Sequence, residues 1–161
     1  MNNPVQCKLL VLRQYFVFIV ILFISACSSQ LKGEFISYYE QETDKPYDDV
    51  LAELKVAIAE HNFRITAHSR IGKVIRDRGT LDFPEYDTIQ FCNLTHAKTL
   101  LMMSPEAVKH MPCNIVTYQQ HNTTIINTHL LPTDTDNPEL NEFSEKMNAM
   151  LREIVDFAVE E

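Results

Sequence analysis

The sequence predicts an α+β fold: a mostly antiparallel five-stranded sheet with helices on one face, in the order β-α-β-α-β-α-β-β-α. Three observations predict it. Along residues 34–161 the apolar residues switch repeatedly between a period of two and a period near 3.6, which marks alternating strands and helices. Two β-branched runs follow one another around a short polar turn, the pattern of a hairpin. The last segment is a long helix with a single apolar stripe, which needs one sheet face to cover it. The opposite sheet face is left for a ligand or for a second copy of the chain.

The elements follow in order. "EFISYYEQ" (34–41) alternates and is aromatic, so it reads as the first strand. "KPYDDVLAELKVAIAEHN" (45–62) has helical period, with Val50, Leu51, Leu54, Ala57 and Ile58 on one face. Pro46 suits its first turn, and Asp48 and Asp49 suit the positive end of the helix dipole. "FRITAHS" (63–69) is a second strand, and "RIGKVIRDRG" (70–79) a short helix ended by Gly79. "YDTIQFC" (86–92) is a third strand. A helix follows through "LTHAKTLLMM", capped by Asn93 or Thr95, and "SPEAVKHM" adds a short turn with Ser104 as its cap. "CNIVTYQ" and "TTIINTHLL" form the hairpin around "QHN", and "PTDTDNPE" is a polar loop. In the last helix Leu140, Phe143, Met147, Leu151, Ile154, Val155 and Ala158 make the apolar stripe.

The 161 residues suit one domain once a targeting segment is set aside. Residues 1–26 hold Lys8 and Arg13 and no acid, then the apolar run "YFVFIVILFI", then small residues. That sequence of features is a secretory signal, and the run is short for a membrane span, which needs roughly 20 apolar residues. "ISAC" resembles a bacterial lipoprotein cleavage box. The resemblance implies acylation of Cys27, cleavage before it, and anchoring in a membrane that faces the periplasm. Ser28 after the cysteine resembles the class sorted to the outer membrane. Residues 27–33 then read as a lipidated tether and 34–161 as the folded domain. Without Lys8 and Arg13 the net charge of −8 becomes −10. So acidic a chain repels polyanions, and nucleic acid is not an expected partner. With three glycines in the chain, Gly33, Gly72 and Gly79, no glycine-rich phosphate loop exists, which removes most nucleotide-dependent enzyme classes.

After processing, Cys92 and Cys113 are the remaining cysteine pair, in an oxidising compartment. Four readings apply to them. A structural disulfide would close a loop of about 20 residues and contribute roughly 3 kcal/mol. Two separately buried thiols would act as small apolar residues. A redox-active pair is a third, although catalytic dithiols usually sit as C-x-x-C at a helix start. The fourth is a metal site: Cys92, His96, His110 and Cys113 form C-x₃-H…H-x₂-C, a formal zinc set, and Met102, Met103 and Met111 add soft donors suited to copper.

"ITAHSRIGKVIRDRG", "FCNLTHAKTLL", "MPCNIVTY" and "THLLPTDTDNPELNEF", in that order, resemble the domain of unknown function 302 family over nearly the whole domain. The resemblance implies a small α+β domain found in bacteria, often dimeric, and implies no reaction. The chain departs from the family pattern at His96, where tyrosine is common, and at Asn114, where arginine is common.

No other constellation carries chemistry. His68, Ser69 and Asp77 lack a nucleophile elbow. His61 lies near a helix end, His68 and His129 fall in strands, and His121 is in a turn. Arg70, Lys73, Arg76 and Arg78 form the one basic cluster; they read as a solvated face paired with Asp77, Asp82 and Glu85, or as an anion or lipid-headgroup contact. The expected function is therefore a lipid-anchored envelope module that binds a small molecule and is non-catalytic, with Asn93, Arg70 and Lys73 as contact candidates and no cofactor. The competing readings are a thiol-redox or zinc- or copper-handling protein centred on Cys92 and Cys113, and a structural envelope component.

Overall fold

The computed structural model describes residues 37–160, so the signal segment, Cys27 and the tether lie outside the described residues. The elements are β1 (Ser37–Thr43), α1 (Tyr47–Glu60), β2 (Arg64–Arg70), α2 (Ile71–Asp77), β3 (Tyr86–Cys92), α3 (Leu94–Met103), a 3₁₀ turn (Pro105–His110), β4 (Cys113–Gln120), β5 (Thr123–Leu130) and α4 (Pro138–Val159). Class, order and antiparallel pairing are those expected from the sequence.

Local chemistry accounts for the boundaries. Pro46 caps α1, and the chain turns out of that helix at Asn62, whose φ of 60° is left-handed. Gly79, just beyond α2, takes φ 110°, a conformation that any side chain would strain. Asn93 resolves the choice at α3: its side chain accepts from the backbone N–H groups of Thr95 (2.9 Å) and His96 (3.2 Å). Ser104, expected to cap the 3₁₀ turn, makes no side-chain cap bond. Asn137 caps α4 with Pro138 in the first turn. The β4–β5 hairpin turns at His121, with φ 58°.

The strands lie in the order β1-β5-β4-β3-β2, so the first strand pairs with the last and both edges come from the N-terminal part of the domain. Helices α1 and α4 pack on one face. All five apolar residues expected on α1 are buried there, with Met147, Leu151, Ile154, Val155 and Ala158 from α4. They meet Ile89, Phe91, Ile115 and Ile126 from the sheet, each fully buried. Asn148 reads a loop backbone from within this layer, accepting from Leu131 N–H (2.8 Å) and donating to Leu131 O (2.9 Å). Strand alternation sends Asp87, Ile89 and Phe91 to the helix side and Tyr86, Thr88 and Gln90 to the other. Among the described residues no helix is long and apolar enough to cross a membrane.

Candidate functional site

The cysteine segment folds as a strand, a helical excursion and a return strand. β3 ends at Cys92, Asn93 caps α3, the 3₁₀ turn follows, the Met111–Pro112 peptide is cis, and Cys113 starts β4. Cys92, His96, His110 and Cys113 all line one pocket, with Phe63 and Phe143 among its other walls. Its volume is about 20 Å³, room for about one water molecule. His96 lies between the rings of Phe63 (6.0 Å) and Phe143 (6.2 Å), and His110 is 5.6 Å from His129.

This arrangement does not assemble the expected metal set. Among the described residues no group of three or more His, Cys, Asp or Glu side chains could hold a metal ion. His96 packs among aromatic rings, and Met102 is 75% exposed to solvent. The expected disulfide is not formed either: both cysteines are free thiols. Cys113 stands opposite Phe91 and packs against the core, and Cys92, the next residue along β3, lines the same pocket.

Burial, with the nearby Cys92 as a smaller contribution, pushes the Cys113 thiol up to about 11. At pH 8 such a group is about one-thousandth thiolate. Iodoacetamide at pH 8 on the reduced native protein is therefore expected to alkylate Cys92 and spare Cys113, with Cys113 reacting only as the pH nears 11 or the chain unfolds. Peptide mass mapping reads the result; equal labelling at pH 8 would contradict the burial.

The contact candidates do not form one site. Asn93 spends its side chain on the α3 cap and on a bond to Asn62 O (3.0 Å). Arg70 stands opposite Asp87 at the other end of β3, roughly 20 Å away along the strand. Lys73 pairs with Asp77 (2.6 Å) on the exposed face of α2. Arg76 pairs with Glu85 and donates to Phe83 O (2.8 Å). The basic cluster is thus largely spent on its own acids.

Two groupings escaped the sequence reading. The first surrounds Asp87, whose side chain is wholly buried. Tyr47, at the start of α1, donates its hydroxyl to Asp87 Oδ2 (3.0 Å) and lies 2.8 Å from Thr117 Oγ1. His68 Nε2 is 3.0 Å from Asp87 Oδ1, and Arg70 Nε 3.7 Å. Burial first, then the charge of Asp87, drives the Tyr47 hydroxyl far above its ordinary range, so it stays a donor. The signal was available: in "YDTIQFC" an aspartate shares the period-two face of Ile89 and Phe91. The second is the sheet face away from the helices. Tyr86 and Tyr118 stack across strands (6.0 Å, 8° between planes), with Phe83 5.5 Å from Tyr86. Beside them Gln90 pairs in register with Asn114, and Val116 with Asn127. No side chain among the described residues bonds the amides of Gln90 or Asn114.

Residues 39–158 match the family described as domain of unknown function DUF302. The fold is similar to the crystal structure of an uncharacterized conserved DUF302 protein from Bacillus stearothermophilus, with a TM-score of 0.66 at 18% identity, covering 75% of this chain and 97% of that one. No curated protein matches the chain.

Proposed function

The chain belongs to the DUF302 family, and from that premise we propose that it is a lipid-anchored protein of the bacterial envelope whose domain binds an uncharged, hydrogen-bonding small molecule on the open face of its sheet, without turning it over. The observation that carries this reading is the composition of that face. Its centre holds Thr88, Gln90, Asn114, Val116, Tyr86 and Tyr118, with no charged side chain. The carboxylates Glu40 and Glu42 stand at the β1 margin. Unspent amides beside aromatic rings suit a ligand that offers hydroxyl or amide groups on an apolar skeleton. An anionic ligand would meet a chain of net charge −8.

The thiol reading is less well supported. A thiol pushed up to about 11 is a poor nucleophile at neutral pH, and the pocket beside it admits about one water. The chain has no tryptophan, so its emission comes from tyrosines, Tyr86 and Tyr118 of the open face among them. Titration with the neutral trisaccharide chitotriose is expected to change that emission saturably, and Tyr118→Ala or Gln90→Ala to weaken binding about tenfold, near 1.4 kcal/mol. A flat titration overturns the reading. A flat titration with a concentration-dependent mass would assign the face to a second copy of the chain.

A further inference from the structure

The end of the sheet where the chain enters β1 is also the end that carries α3. Ser37 pairs with Leu130, Thr128 with Ile115, and Phe91 with Cys113. Continuing the β4–β5 register by two residues brings Cys113 level with Leu130. Ser37, Leu130, Cys113 and Phe91 therefore make one row, and Cys92 and Asn93 lead from it straight into α3. The basic cluster around Arg70 lies at the opposite end, beside Asp87.

On α3, Leu94, Lys98 and Met102 recur at i, i+4 and i+8, one stripe along the helix. The stripe faces out: Leu94 is 83% and Met102 75% exposed. Val108, 59% exposed, continues it on the 3₁₀ turn, followed by Lys109. Residues 94–111 hold Lys98 and Lys109 against Glu106 alone, an excess of positive charge in a chain of net charge −8. Ser37 follows Cys27 by ten residues, which reach at most about 35 Å when extended.

We propose that α3 and the 3₁₀ turn rest on the bilayer that holds the Cys27 anchor. Leu94, Met102 and Val108 enter the boundary between headgroups and acyl chains, and Lys98 extends to the phosphates. A bilayer is the fitting occupant because three separated apolar side chains interleaved with lysines fall short of the roughly 800 Å² per partner that a stable protein interface needs. The acidic residues Asp134, Asp136 and Glu139 leave from the same end of the sheet, which confines the contact to the α3 corner and keeps it shallow. The inference rests on the lipid-anchored reading.

Because the chain lacks tryptophan, Leu94→Trp introduces a single indole into the stripe. The full chain, labelled with radioactive palmitate in bacteria, is reconstituted into vesicles of phosphatidylethanolamine and phosphatidylglycerol (3:1), with or without brominated acyl chains. Strong quenching by the brominated lipid is expected for Leu94→Trp. Little is expected for Tyr118→Trp, on the far side of the sheet, and the quenching should be lost when Met102→Glu is added to Leu94→Trp. Palmitate incorporation with an unquenched Leu94→Trp overturns the docking and leaves the anchor standing. Absence of palmitate from the full chain overturns the anchor and the inference together.

Discussion

Asp87→Ala is expected to lower the free energy of unfolding by about 3 kcal/mol, the lower end of what removing one member of a buried charged pair costs. Asp87 is 1% exposed and accepts from Tyr47 and His68, with Arg70 beside it. Its loss leaves the buried Tyr47 hydroxyl without one of its partners, at a position that pins the start of α1 to β3 and β4. An unsatisfied buried group costs roughly 1–3 kcal/mol. His68 and Arg70 remain partly exposed, 21% and 43% at the side chain, so water re-solvates them, which holds the effect at the lower end. Asp87→Asn keeps the volume and an acceptor for Tyr47 and should cost about 1 kcal/mol. Urea unfolding followed by circular dichroism measures both. A midpoint for Asp87→Ala within error of the parent would show that the network does not hold α1 to the sheet.

Gly72→Ala is expected to cost about 3 kcal/mol, the top of the usual range for overpacking. A Cβ at Gly72 would stand 2.5 Å from Pro84 O and 2.6 Å from Tyr86 N, both backbone atoms. Neither can yield. Tyr86 pairs with Tyr118, Glu85 O accepts from Gln119 N–H (3.0 Å), and Arg76 ties α2 to Phe83 O. Gly79→Ala is the control. It meets nothing within 4 Å but must hold φ near 110°, a strain of roughly 1 kcal/mol or somewhat more. The pair thus separates two reasons for a glycine, space and backbone angle. Thermal unfolding should rank Gly72→Ala well below Gly79→Ala; the reverse order would mean that α2 can slide away from the 84–86 segment.

The amphipathic elements were legible because each announces itself within about one turn or one strand. The α1 face of Val50, Leu51, Leu54, Ala57 and Ile58 is buried as its period implies. The caps were partly legible: of the residues expected to cap, Asn93 does and Ser104 does not, while the Asn137 cap of the last helix was read only as part of a polar loop. The candidate site was legible only as a neighbourhood. Spacing placed Cys92, His96, His110 and Cys113 around one excursion, and they do share a pocket. Spacing does not say which way each side chain turns. Cys92 and Cys113 stay free thiols, and aromatic packing claims His96.

By itself the sequence determined class, element order, the faces of α1 and α4, and the hairpin, since these follow from periodicity and turn residues a few positions apart. Only the tertiary structure decided that β1 closes the sheet beside β5, that Arg70 and Asn93 lie at opposite ends of β3, and that Asp87 gathers Tyr47, His68 and Thr117. The physical reason is range. Within the Asp87 cluster the bonded partners are 19 to 70 positions apart, and strand register, which no local pattern encodes, brings them together.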